Sequence, residues 1–167
     1  MKRIIKKIFR IYRQSLYVAD CIKDLKKAEP LVNVDWVDVD EKVCCRVSDF
    51  REKRYEDCFR RMLSDGQKGL FATVSNRVVG HAWSILTRRE TTIVNGYYKL
   101  DGNSAFIHFC CVDPCQRGKR IYPRMIYELS KRSMNGNVDR VYIDCDVKNK
   151  SSRRGIERAG FKHIGDY

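Results

Sequence analysis

No Cys-x-x-Cys pair occurs anywhere in the chain, although it carries eight cysteines. The spacing that zinc sites use is therefore missing. The adjacent pairs Cys44-Cys45 and Cys110-Cys111 are no disulfide framework either, because neighbours on a strand point to opposite faces. Reduced thiols acting as small hydrophobes, with no metal, are the simplest reading. Long apolar runs are absent too. None approaches a membrane span, and the start of the chain has no uncharged apolar core of secretory-signal length. Carboxylates are scarce: 21 Asp and Glu face 34 Lys and Arg, a formal charge of +13. That imbalance disfavours aminoglycoside-like polycations and basic peptides as substrates. It calls for an anionic partner: nucleic acid, a phosphorylated small molecule or a membrane surface.

With 167 residues, 43% of them hydrophobic, the chain can build one good core and is too short for two comfortable domains. Its first part differs from the rest. Ile4, Ile5, Ile8, Ile11 and Tyr12 follow helical spacing, while Lys2, Lys6, Lys7, Arg10 and Arg13 crowd the remaining face. Such a basic amphipathic helix either lies on an anionic bilayer through residues 1–16 or packs on protein. Helical texture continues from Leu16 to Ala28 until Pro30 stops it, so residues 1–30 are expected as one helical segment. LVNVDWVDVDEK then reads as an acidic linker or an irregular strand entry.

From residue 42 the texture alternates. VCCRV reads as a short strand, and Ser48 as the cap of a helix whose apolar stripe includes Phe50, Tyr55, Phe59 and Met62. LFATVS and VVGHAWSIL are strands joined by a tight turn at Asn76-Arg77. AFIHFCCV is the most apolar strand. A helix from about Arg120 to Met134, the strand VYIDCDV, the short helix SSRRGIERAG and the strand FKHIGDY complete the chain. The order β-α-β-β-β-α-β-α-β implies an α/β protein with a mixed central sheet covered by helices.

Between its most apolar strand and the next helix the chain reads CQRGKRIYPR. The first turn of a helix offers unpaired N–H groups and positive dipole, and Arg117, Lys119, Arg120 and Arg124 add charge, so this turn suits a phosphate. VDPCQRGKRIYPRMI, followed by DVKNKSSRRGIERAGF, resembles the GNAT superfamily of acetyl-CoA-dependent N-acetyltransferases. The matching residues are Val112, Pro114, Arg117 to Tyr122, Asn149, Ser152, Gly160 and Phe161. With the order of elements, the resemblance marks residues 42–167 as the acetyltransferase domain.

The resemblance implies that acetyl-CoA is the acyl donor, held where AFIHFCCV and VYIDCDV run parallel and then splay apart. The pantetheine arm would pair with the first of these strands. A backbone N–H near Cys111 or Val112 would receive the thioester carbonyl, and the turn Arg117, Gly118, Lys119, Arg120, Ile121 and Tyr122 the pyrophosphate. Asn149 and Ser152 would order the following loop and helix cap, with Asn149 close to the pantetheine. An amine then attacks directly, with no thiol nucleophile.

Three departures stand out. Arg120 and Tyr122 replace small motif residues; glycine there is read as giving clearance rather than an unusual backbone angle. Relatives with the Tyr122-Pro123 pair are associated with bacterial surface-polysaccharide synthesis. Ile156 stands where many members carry a tyrosine that protonates the leaving thiolate, leaving water or Tyr122 for that task. Only FKHIGDY follows the last helix, where the family has two strands, a shortened C-terminal end. That strand is expected directly beside VYIDCDV, or another chain fills the gap in a homodimer.

For the proton on the attacking ammonium, His108 is the candidate base, since imidazole titrates in the useful range. Asp144 and Asp146, on the opposite strand, are the alternatives. The charge balance favours an amino sugar on a nucleotide or lipid carrier as acceptor, in the cytoplasm and, if the first helix binds lipid, on the inner face of the membrane. Two rivals remain: a GNAT-like module that binds the coenzyme without turnover, and a nucleic-acid binder. The latter rests on net charge alone, because neither aromatic-basic interleaving nor a base-reading helix is visible.

Overall fold

Ser75 and Asn76 both have positive φ, 48° and 60°, making the two-residue turn whose twist matches a hairpin. It joins β3 (Lys68–Val74) to β4 (Arg77–Thr87), antiparallel strands at the middle of a seven-stranded sheet. The computed structural model describes residues 13–87, 92–94, 98–100, 102–136 and 138–167. The expected helix in residues 1–12 lies outside them.

The other strands are β1 (Gln14–Ala19), β2 (Asp35–Val39), β5 (Thr92–Val94), β6 (Tyr98–Leu100), β7 (Ser104–Val112), β8 (Arg140–Asp146) and β9 (Lys162–Asp166). The sheet order is β2-β3-β4-β7-β8-β1-β9, with β5 and β6 a separate hairpin. Among the described strands, only β7 and β8 pair in parallel. Helices α1 (Arg54–Ser64), α2 (Ile121–Asn135) and α3 (Lys150–Arg158) cover the faces. The apolar stripe of α2, with Met125, Ile126 and Leu129, packs with Ala105, Ile107, Val141 and Ile143 of the central strands. On the other face Phe59 of α1 meets Trp83 edge-on, ring centroids 4.8 Å apart.

Five expectations from the sequence are corrected. Leu16 to Ala28 is not helical. Gln14–Ala19 is a strand whose last five residues are all buried, because it is paired on both sides and covered on both faces. Such a strand is a continuous apolar run, which periodicity alone cannot tell from a helix. That strand also answers the question of the sheet's end: β1 lies between β8 and β9, antiparallel to both, so neither direct β8–β9 pairing nor another chain fills the gap. The central sheet therefore starts well before residue 42, and Asp35–Val39 adds its edge strand.

Cys44–Asp49 is a 3-10 turn rather than a strand. Asp40 Oδ1 accepts the N–H groups of Lys42 and Val43 at 2.8 and 2.9 Å, curling the chain. Cys44 and Val47, three apart, then point into the core together. Ser48 caps nothing; its hydroxyl donates to the Cys45 carbonyl.

The Gly160-Phe161 pair ends α3. Gly160 has φ of 100°, and a Cβ there would lie 2.1 Å from the Asp24 carbonyl oxygen. The N-terminal connection thus crosses directly over the helix end, fastened by Lys26 N–H donating to the Ala159 carbonyl.

Candidate active site

The β7–β8 ladder runs from Ser104↔Arg140 to Ile107↔Ile143 and stops there. Beyond it β7 bulges. His108 pairs with Trp83, and the next β4 partner is His81 opposite Cys111, so three steps on β7 match two on β4. Phe109, at φ 49°, absorbs the extra residue. The bulge turns β7 away from β8 and leaves its inner backbone unpaired on that side.

A cavity of about 510 Å³ opens into this gap, the size of a small-molecule site. Cys110, Cys111 and Val112 form one wall, the turn at Arg117 to Tyr122 the floor, and the first turns of α3 the opposite wall. Of the residues expected on the coenzyme, Cys111, Val112, Arg117, Gly118, Arg120, Ile121, Tyr122, Asn149 and Ser152 all line it. Lys119 does not: its ammonium donates to Gln116 Oε1 at 2.7 Å. Arg124 is withdrawn as well, paired with Glu29 at 2.8 Å and Glu128 at 2.7 Å.

The floor is a positively charged concavity. Gly118 has φ 77° and Arg120 φ 60°. This corrects the expectation that the motif's second small position needs only clearance: a left-handed residue stands there, and here it is an arginine. Left-handed residues beside a helix start are a setting in which backbone N–H groups gather around an anion, and here they precede the first turn of α2. Among the described residues, four arginines line the cavity, Arg117, Arg120, Arg154 and Arg158, and no carboxylate does. The donor set fits the pyrophosphate and adenylate phosphate of acetyl-CoA.

The sequence profile of the acetyltransferase (GNAT) family matches residues 34–161. The chain belongs to that family. Comparison with curated protein sequences finds no match. Among solved structures, a GNAT-family acetyltransferase from Colwellia psychrerythraea is 12% identical with a TM-score of 0.68, over 92% of this chain and 53% of its own. An aminoglycoside N-acetyltransferase in complex with CoA is 17% identical, TM-score 0.60, over 77% of this chain and 91% of its own. A glucosamine N-acetyltransferase region of a fungal multi-domain β-N-acetylglucosaminidase is 13% identical, TM-score 0.69, over 99% of this chain and 22% of that one. The chain spans about half the length of the Colwellia protein, and these likenesses concern the fold.

Within this GNAT fold Tyr122 serves two ends. Its hydroxyl lies 2.9 Å from Ser152 Oγ, and its ring lies against Gly155. Burial pushes its pKa well above an ordinary tyrosine's, so it stays protonated and able to donate. Ile156 is fully buried in the core and brings no acid to the cavity. Burial also drives the Cys110 thiol upward, with the Asp144 charge adding to the effect, which makes Cys110 a poor nucleophile. Asn149 Oδ1 accepts the Ser152 N–H at 3.0 Å and caps α3.

His108 Nε2 is 2.9 Å from Gln67 Oε1. With the amide oxygen accepting, the ring carries its proton on Nε2 and presents the Nδ1 lone pair. Burial pushes its pKa down to about 4, which corrects the expectation of an imidazole titrating near neutrality. Continuing the ladder register by one step sets His108 opposite Asp144, across the gap. Asp144 is half-buried, while Asp146 is exposed and its Oδ1 accepts the Lys148 N–H.

Sequence spacing does not single out Arg154 and Arg158. Their separation of four on α3, together with Ser151 and Gly155, is the helical-face signal that finds them once α3 is known to border the site. Nothing in the sequence announces the Phe109 bulge.

Proposed function

We propose that the chain transfers an acetyl group from acetyl-CoA directly to a primary amine, and that the acceptor is an amino sugar on a nucleotide or lipid carrier. The observation that carries this reading is the arginine-lined cavity at the point where β7 leaves β8. The unpaired β7 backbone suits a pantetheine arm, and an N–H at Cys111 or Val112 suits the thioester oxygen as it gains charge.

The amine nitrogen attacks the carbonyl carbon, the C–S bond breaks, and the thiolate takes a proton from Tyr122 or from water. The proton lost by the nitrogen leaves by way of His108 to solvent. At a pKa near 4, His108 is neutral at pH 7 and accepts a hydrogen bond, but it holds a proton only in passing. The Tyr122-Pro123 pair, shared with relatives in surface-polysaccharide synthesis, and the net charge of +13 support an anionic carrier. Residues 1–12 would then bring the protein to the inner face of the membrane, and the exposed edge strand β9 would offer itself to a second copy.

The test is thiol release from acetyl-CoA across amino sugars, nucleotide-linked amino sugars, polyamines and peptides. Turnover should be fastest with the nucleotide-linked sugars. Acetyl-CoA binding without thiol release for every amine would instead identify a coenzyme-binding module, the reading that Arg120 and Ile156 favour.

A further inference from the structure

On the face of β7 that carries α1, a half-buried guanidinium stands without a carboxylate among the described residues. Arg51 is half-buried, and none of the described ion pairs includes it. Its Nη1 donates to Cys111 Sγ at 2.8 Å. A thiol is a weak acceptor, and four further N–H donors of the fork remain. Buried or half-buried arginines are ordinarily matched to carboxylates, as Arg124 is to Glu29 and Glu128.

The position of Arg51 is fixed from below. Its guanidinium carbon lies 3.8 Å from the Tyr55 ring centroid, a stacked geometry that orients the fork and leaves its edges open. Tyr55 in turn meets Phe109, centroids 6.0 Å apart, and Phe109 stands 36% exposed at the bulge. His81 lies behind, opposite Cys111 in the ladder. Its ring is fully buried, and the Phe109 backbone approaches it without completing a hydrogen bond. Burial, and then the Arg51 charge, push its pKa down to about 3, so no second cation competes there. Cys111 itself lines the coenzyme cavity. An oxyanion on Arg51 is thus within about one side chain of the acetyl end, beside an apolar ring.

We propose that Arg51 is the specificity-determining residue for the acceptor: the amine acetylated here carries a carboxylate or phosphate close to its nitrogen, clamped by the Arg51 fork at the mouth of the cavity. The inference rests on the acetyltransferase reading and narrows its substrate to anionic amines. Polyamines and aminoglycosides are excluded by the same charge.

Paired acceptors test it, each pair sharing an amine and differing in the anion: glucosamine against glucosamine 1-phosphate, whose phosphate is on the carbon next to the amine-bearing one, and amino acids against their amides. For the full-length protein, kcat/KM should favour the anionic member of one pair by roughly ten- to a hundredfold, mostly through KM. The first pair winning assigns a phosphate, the second a carboxylate. In Arg51→Gln that ratio should collapse toward one while acetyl-CoA affinity holds; Arg51→Lys, which keeps a point charge, should retain part of it. Arg54→Gln removes an equal charge three residues on, at the start of α1, and should leave the ratio intact. Equal rates within every pair, or a preference that survives Arg51→Gln, overturns the inference and leaves acetyl transfer standing. No thiol release with any amine overturns acetyl transfer, and the inference with it.

Discussion

The ring of Tyr122 occupies the space that a side chain at Gly155 would need: a Cβ there would lie 2.5 Å from Tyr122 Cδ1 and 2.9 Å from Cε1. Alanine at an interior helix position ordinarily adds about 0.5–1 kcal/mol over glycine. Here Gly155→Ala should instead destabilise by about 1–3 kcal/mol, the usual range for overpacking. Thermal melts of Gly155→Ala, Tyr122→Ala and the double variant check this. The double variant should be less destabilised than the sum of the two singles. Additive losses would mean that Tyr122 moves aside at little cost.

Arg120 stands at φ 60° immediately before α2, where a non-glycine residue costs on the order of 1–2 kcal/mol. Arg120→Gly should therefore raise the melting temperature by about 2–4 °C, the shift that roughly 1 kcal/mol gives a domain of this size. Gly118→Ala is the converse. Nothing lies within 4 Å of a Cβ there, but φ is 77°, so any loss reports backbone strain alone. A fall in melting temperature for Arg120→Gly would place the arginine side chain, rather than the backbone, in control of that turn.

The strands β7 and β8 and the basic turn between β7 and α2 are legible in the sequence because their signals are local: apolar strands, a basic glycine turn and a capping Asn149. That β7 and β8 run parallel comes from the family resemblance. What escapes is non-local. Gln14–Ala19 looks helical because a strand buried on both faces carries no alternation. Only its pairing with β8 and β9 reveals it. The left-handed Arg120 and Phe109 go against propensity and are held by their surroundings, so no pattern of residue types foretells them. The depressed pKa of His108 depends on burial beneath elements far away in sequence.

Acid should charge the buried His81 and the half-buried His108. His81 and His108 are held near 3 and 4 in the folded protein, against about 6.5 unfolded. The unfolded chain therefore binds more protons between those limits. Stability is complete above pH 6.5 and falls as pH drops through 4 toward 3, by on the order of a few kcal/mol per imidazole. His81 sits among Phe50, Phe59 and Phe109, so His81→Phe should flatten melting temperature between pH 4 and 6.5. A slope unchanged in His81→Phe and His108→Gln would mean that neither ring is buried neutral.

Where the N-terminal segment is cut decides what is lost. Deleting residues 1–12 should abolish binding to anionic vesicles and leave acetyl-CoA affinity intact, since cations and apolar side chains there supply the lipid contact. Deleting residues 1–16 also removes Gln14 to Leu16, which pair with Asp146, Cys145 and Asp144. That loss opens β8 and β9 and should unfold the protein. Vesicle flotation separates the outcomes: retained binding in the shorter deletion ends the membrane proposal, and a folded longer deletion would make β1 dispensable.

His108 is best examined through the pH dependence of turnover. Were it a base titrating near neutrality, kcat/KM for the amine would inflect near pH 6.5. With its pKa near 4, the profile should instead climb with pH until the amine's own pKa, showing no histidine limb. His108→Ala should still lower turnover at pH 7, by roughly a hundredfold if the ring conducts the proton, with acetyl-CoA affinity nearly unchanged. Raising the pH should restore part of the loss, because solution then supplies free amine. His108→Gln, able to accept a hydrogen bond but not to carry a proton, should behave like the alanine variant. Wild-type rates in both would move the proton's exit to Asp144, one ladder step across the gap, or to water. A joint fall of melting temperature and coenzyme affinity, without rescue at high pH, would make the His108–Gln67 pair a structural fastening of β7.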